Sequence, residues 1–170
     1  MIAISGNFDE VIKRFKERKK LFKDRNRKFL TRLGEEGISL ANAKIENIQY
    51  DGDNDTVVEP LTWDGDKLIL AASGQAITFI EFGTGVHYSE RHPMEGFEGM
   101  TRGTFGRGLG SRDYWHYIGN PGTHGEVVKN VKHGVLIRTH GNPPNRIVYD
   151  TAKEVRQKIT EIAKEVYVND

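Results

Sequence analysis

The chain has 170 residues, 25 Lys and Arg against 24 Asp and Glu, no cysteine and 19 glycines. That length fits one domain with a modest core, and a formal charge of +1 selects neither nucleic acid nor membrane as a bulk partner. The missing cysteines exclude disulfides and thiolate metal sites. Neither a signal-peptide core nor the roughly 20 apolar residues of a membrane span occurs, so the expectation is a soluble protein made in the cytoplasm.

Residues 7–33 carry the pattern of one long amphipathic helix. Asn7-Phe-Asp-Glu10 has the form of a capping box, and Gly34 is the expected stop. Phe8, Ile12, Phe15, Phe22, Phe29 and Leu33 recur at steps of three, four or seven residues and form one stripe, which Lys19 and Asn26 interrupt. From Glu10 to Arg32 there are eleven Lys and Arg against three acids, a net +8. The plain reading is a solvated basic face; the sharper ones are contact with DNA or with an acidic protein surface. No aromatic residue interleaves the basic ones on that face, which weakens base stacking as its purpose.

The following region is acidic. Between Glu35 and Asp66 the only base is Lys44. Ile45, Ile48 and Tyr50 look strand-like and lead into Asp51-Gly-Asp-Asn-Asp55, a loop by composition that lacks the glycine and closing glutamate of a calcium loop. Leu61-Thr-Trp63 and residues 67–72 flank Asp64-Gly-Asp66, a hairpin signal. Ser73-Gly74 then turns the chain into an apolar run, residues 77–82, that reads as a strand closed by Gly83-Thr-Gly85. Alternation places Glu81 on one face with Ile77 and Phe79. A carboxylate there needs a partner, and backbone amides or an arginine are the expected ones.

Residues 87–134 show almost no periodicity and read as a long insertion, flexible over about 86–134. All six histidines (His87, His92, His116, His124, His133 and His140) lie between residues 87 and 140. None forms a helical His-x-x-x-His pair, so no metal or cofactor is expected. The glycine run at 103–110 lacks the Gly-Lys-Ser/Thr ending of a phosphate loop. A loop this long, bearing aromatics and arginines, is interface chemistry. The interface candidates are Glu81, Phe82, Gly83, Thr84, Gly85, Arg102, Phe105, Arg107, Arg112, Tyr114 and Trp115. Glycines at 103, 106, 108 and 110 make the segment 100–112 costly to order. The expectation is a segment that becomes fixed only against a neighbouring subunit.

Residues 135–139 are a further candidate strand. Asn142-Pro-Pro-Asn145 precedes a second helix over 146–166, with Val148, Ala152, Val155, Ile159, Ile162 and Val166 as its stripe. Two amphipathic helices with a small antiparallel sheet of three or four strands, plus a long Gly-rich loop, is an α+β domain spanning residues 1–170.

Four segments occur in a fixed order: Phe79-Ile-Glu-Phe-Gly-Thr-Gly85, Ser111-Arg-Asp-Tyr-Trp-His-Tyr117, Gly119-Asn-Pro-Gly-Thr-His-Gly125 and Thr139-His-Gly-Asn-Pro-Pro-Asn145. With the helix that begins near Ile147, this set resembles the tail-component, or neck and tail-completion, proteins of long-tailed bacteriophages and prophages. The resemblance covers roughly residues 1–168, with its specific motifs within 79–150. It implies a non-enzymatic virion protein at the junction of the DNA-filled head and the tail. Such a protein forms a homo-oligomeric ring of six copies, with connector and tail-tube proteins as neighbours and DNA passing through the lumen. No membrane and no cofactor are implied. Two other classes fit parts of the chain: a nucleic-acid-binding module using the basic helix, and a histidine-dependent hydrolase built on Glu81, His87 and His92.

Overall fold

Helix α1 runs from Phe8 to Ile45, 38 residues and about 57 Å at the usual rise of 1.5 Å per residue. It is seen in a computed structural model that describes residues 8–84, 92–94 and 113–168. Asn7 and the capping box therefore fall outside the described residues, while Asp9 and Glu10 lie in the first turn. Gly34 does not stop the helix. It is buried, and a Cβ there would lie 2.8 Å from methyls of both Leu61 and Leu68; Gly37 presses in the same way on Leu70. These glycines let a neighbouring element approach the helix backbone. Tertiary packing thus outweighs the propensity that made Gly34 look like an end. Ile45, read above as strand-like, closes the helix.

The neighbour is a β-hairpin arm, residues 57–73. Strands β1 (Val57–Val58) and β4 (Ala72–Ser73) pair antiparallel at its base, and β2 (Thr62–Asp64) and β3 (Lys67–Ile69) pair at its tip around Gly65, where the hairpin signal lay. Leu61, Leu68 and Leu70 point inward to α1, and Arg27 of α1 stacks 4.4 Å over the Trp63 ring. Thr62 and Ile69 oppose each other on the outer face.

Residues 77–82 form a helix, α2 (Ile77–Phe82), rather than the expected strand. A short apolar run reads alike as a buried strand or a buried helical turn. The decision comes from a distance: the Asp55 carboxylate, twenty residues earlier, accepts the backbone N–H groups of Gln75 and, at 3.5 Å, Ala76, and so fixes the turn from which the helix begins. In the helical period Glu81 shares a face with Ile77, as alternation also had it. Phe79 is turned away, and Ile80, fully buried, lies beside Glu81 instead.

Residues 87–134 are not wholly irregular. Strands β5 (Trp115–Ile118) and β6 (Glu126–Val131) lie there and flank β7 (Gly134–Thr139) in an antiparallel sheet of order β5-β7-β6. The candidate strand at 135–139 therefore pairs with these two and not with the hairpin. Instead of one small sheet there are three separate antiparallel pieces. Alternation escaped notice in β6 because its edge position leaves nearly every residue exposed, and a bulge lies between Val127 and Lys129.

Helix α3 (Ile147–Tyr167) runs back antiparallel along α1, shown by Lys44 on Glu154 (2.7 Å), Arg32 on Glu165 (3.1 Å) and Tyr167 against Phe29 and Phe22. Its buried residues are Ile147, Thr151, Ile162 and Val166. The inward stripe therefore starts one residue earlier than Val148, which is half exposed. The core is Ala41, Ala76, Ile80 and Ile147, with Ile45, Ile48, Tyr50 and Val58 packed against it. Complete burial of Ile80 and Ile147 contributes about 1.5–3 kcal/mol each. The protein is α+β. Among the described residues no helix is long and apolar enough to cross a membrane.

Candidate functional site

Helix α3 begins without a cap of its own. Arg146 precedes it in a left-handed conformation (φ 51°) and makes no side-chain capping bond. The first N–H groups of a helix need acceptors, and the positive end of the dipole favours a carboxylate. Glu81 supplies both. Its Oε2 accepts the Val148 N–H at 2.8 Å and its Oε1 accepts the Tyr149 N–H at 3.0 Å. The partner expected for this carboxylate, backbone amides, is the one observed, and it reaches across 67 residues of sequence.

His92 completes the shell. Its Nδ1 accepts the Met94 N–H at 3.0 Å, which leaves Nε2 to carry the hydrogen donated to Glu81 Oε1, also at 3.0 Å. The two side chains are only 8% and 3% exposed for Glu81 and His92 respectively. The imidazole packs 4.4 Å from the Phe82 ring and 5.3 Å from the Tyr149 ring, centre to centre.

A second limb follows directly. Gly83, with φ 75°, ends α2 beside the backbone of Asn142, Pro143 and Pro144. Thr84 and Asn142 exchange backbone bonds (2.9 and 3.2 Å), and the Thr84 hydroxyl also accepts the Asn142 N–H. Asn145 donates its N–H to the Ile80 carbonyl, and Arg146 donates to that of Glu81, so the segment 142–146 takes the end carbonyls of α2.

The third limb is Asp51, inside the loop identified by composition. Its Oδ1 accepts the His124 N–H, its Oδ2 accepts the Thr139 hydroxyl and its own N–H donates to Asn142 Oδ1, each at 2.6 Å. Thr123 and Tyr50 bond in both directions. Gly122 (φ 62°) is pressed so close that a Cβ would overlap the Tyr50 carbonyl oxygen and lie 2.6 Å from Asp51 Cα. Asn145 clasps Gln49 through its side-chain amide. The result is a knot of loops with α2 and the start of α3 at its centre.

Beside it lies a cleft of 250 Å³ lined by Asp51, Asp53, Thr84, Trp115, Tyr117 and Asn142, among others. Burial, then Asp51, Tyr50 and Asp53, push the Tyr117 phenol up to about 12. Burial and the neighbouring Asp51 and Asp55 raise Tyr50 as well. At Asp55 the Gln75 N–H holds the carboxyl below its ordinary range. The carboxylates of Glu81 and Asp51 already accept backbone amides or a hydroxyl, so their chemistry is holding chain segments together. No group of three His, Cys, Asp or Glu converges as metal ligands among the described residues.

Comparisons with family models, with curated proteins and with solved structures find no match.

Of the interface candidates, Glu81, Phe82, Gly83 and Thr84 meet in the knot. Trp115 pairs with Thr139 and lines the cleft. Tyr114 stands apart, with Arg138 5.7 Å above its ring and the His116 and His140 rings at 5.7 and 5.9 Å. Gly85, Arg102, Phe105, Arg107 and Arg112, with the glycine-rich segment and His87, lie outside the described residues. Asp51 was missed because an aspartate in an Asp-Gly-Asp loop looks like ordinary turn chemistry. Asn142 and Asn145 lay within a quoted motif, with no sign of what they would hold.

Proposed function

We propose that this chain is a structural subunit of a bacteriophage neck, forming a homo-oligomeric ring that joins the DNA-filled head to the tail or completes the tail tube. The observation that supports this reading most is the meeting of the resemblance-bearing motifs. Residues from 79–85 and 139–145 are far apart in sequence yet bond directly to each other, and 119–125 is tied to 139–145 through Asp51, which both segments bind. Motifs that define a fold's junction suit a building block. Glu81, bound by two backbone amides and the His92 imidazole, is engaged in holding chain segments together, which favours a building block over the hydrolase alternative.

Connector and tail-tube proteins would stack above and below the ring, and DNA would pass through its lumen. The test is disruption of the gene in its phage or prophage. Electron microscopy should then show full heads and separate tails that fail to join. Normal infectious particles from the disrupted gene would sink the proposal. Purified protein should form closed rings with a central channel in negative stain.

A further inference from the structure

Helix α3 ends at Tyr167, against Phe22 and Phe29 of α1. The α1 stripe continues beyond that point. Phe8, Phe15 and Phe22 are 66%, 68% and 61% exposed, and Val11 and Ile12 are about half exposed. A run of apolar side chains on one face of a projecting helix is an unfinished contact. Arg18 and Lys19 lie within the stripe, and Lys16 and Lys23 flank it.

The complement is found on the same chain. The outer face of the β-hairpin arm exposes Val57 and Ile69. Four acids, Asp55, Glu59, Asp64 and Asp66, accompany them along the arm and its base, against one basic residue, Lys67; Asp55 and Glu59 also accept bonds from Gln75 and Ser73, and Lys67 pairs in register with Asp64. A helix that is apolar and basic thus has a matching sheet face that is apolar and acidic. The chain cannot join the two within itself. The inner face of the arm is packed on α1 through Leu61, Leu68 and Leu70, so its outer face points away from the helix that would have to reach it. Two copies of α1 packed on each other would bring like charge together, net +8 on each over residues 10–32.

We infer that the Phe8–Phe22 stripe of one copy docks on the outer face of the hairpin arm of a second copy. Because the two surfaces differ, the contact can repeat head-to-tail, the kind that closes a ring or extends as a filament; made twice across a two-fold axis it would stop at a dimer, which removes the ring and keeps the pairing. The inference rests on the ring reading above and names the surfaces that would build it.

The chain has no cysteine, so single-cysteine variants report cleanly. Phe15→Cys and Ile69→Cys replace exposed side chains and should leave the fold intact. Mixed and treated with a short bismaleimide, they should give a covalent dimer that neither variant gives alone. Arg18→Glu with Lys19→Glu should weaken self-association roughly tenfold or more, and a partner carrying Asp64→Lys and Asp66→Lys should restore it. Cross-linking of Phe15→Cys to itself as readily as to Ile69→Cys would overturn the pairing in favour of helix on helix. Native mass spectrometry separates this inference from the ring reading. Closed rings without the mixed adduct would remove the pairing and leave the ring. The mixed adduct in open chains would keep the pairing and remove the ring. A chain that never self-associates, or that binds only a different acidic protein through α1, would remove both.

Discussion

The knot around Glu81 and the first half of α1 solve opposite problems. In the knot both buried carboxylates are taken: Glu81 holds two amides and an imidazole, and Asp51 holds an amide and a hydroxyl. Along the first half of α1 the apolar stripe that should be covered is bare. Specificity within the chain is concentrated where loops cross, and the surface left for others sits on the most regular element. A neck subunit, as proposed here, needs both, an internal frame that does not shift and an outer face that is complete only in the assembly.

The contrast can be broken from either side. The largest effect should come from Gly122→Ala. The added methyl overlaps the Tyr50 carbonyl in a backbone conformation that L side chains rarely adopt, so the loop must leave Asp51. The expected loss is on the order of 3 kcal/mol or more, read as a lowered midpoint in urea unfolding. An unchanged midpoint would mean that the 119–125 loop is not held by this contact.

Glu81→Gln should come next. It keeps one acceptor but removes the charge that faces the start of α3, at a cost of about 1–3 kcal/mol. The same denaturation experiment measures it. Full stability in this variant would show that the charge is dispensable and the cap geometric only.

A smaller effect is expected at high pH. The Tyr117 phenol, pushed up to about 12 mainly by burial, holds its proton more tightly folded than unfolded. Its contribution is therefore whole below its ordinary value near 10 and is lost as pH climbs from there toward 12. Phenolate absorbance should show Tyr50 and Tyr117 titrating late, and Tyr117→Phe should remove the last step. A normal titration would place Tyr117 in a more solvated cleft.

The least effect on stability sharpens the other side of the contrast. Phe15→Ser should leave the isolated chain within about 0.5 kcal/mol of the parent, since the ring touches little of its own fold. Its consequence should appear in self-association, followed by light scattering across concentration. A large loss of monomer stability would mean that Phe15 is covered by its own chain.

The sequence revealed the two long helices, the hairpin at Asp64-Gly-Asp66 and the α+β class, because each rests on a period or turn that survives without its neighbours. It misled at residues 77–82, where six apolar-rich residues satisfy either period and Asp55, twenty residues away, decides. It misled at Gly34 because close packing of Leu61 and Leu68, invisible in one dimension, makes glycine the residue that fits within the helix. The partners of Glu81 were anticipated in kind, since a lone carboxylate in apolar company must be bound. Their identity was not legible, because the amides of Val148 and Tyr149 carry no side-chain signature. The role of Asp51 was hidden because its loop reads as ordinary turn chemistry and its partners lie about seventy to ninety residues away.

The remote cap on α3 also bears on how the chain is made. Glu81 leaves the ribosome long before the amides of Val148 and Tyr149 exist, and Asp51 waits for His124 and Thr139. During synthesis α1 and the hairpin arm can form early from contacts close in sequence, while Glu81 of α2 has His92 but neither of the two amides that complete its shell. A chain interrupted before residue 148 cannot close the knot. Formation of α3 is thereby coupled to order in the middle of the chain, where the segments around Glu81 settle only once the first turn of that helix exists.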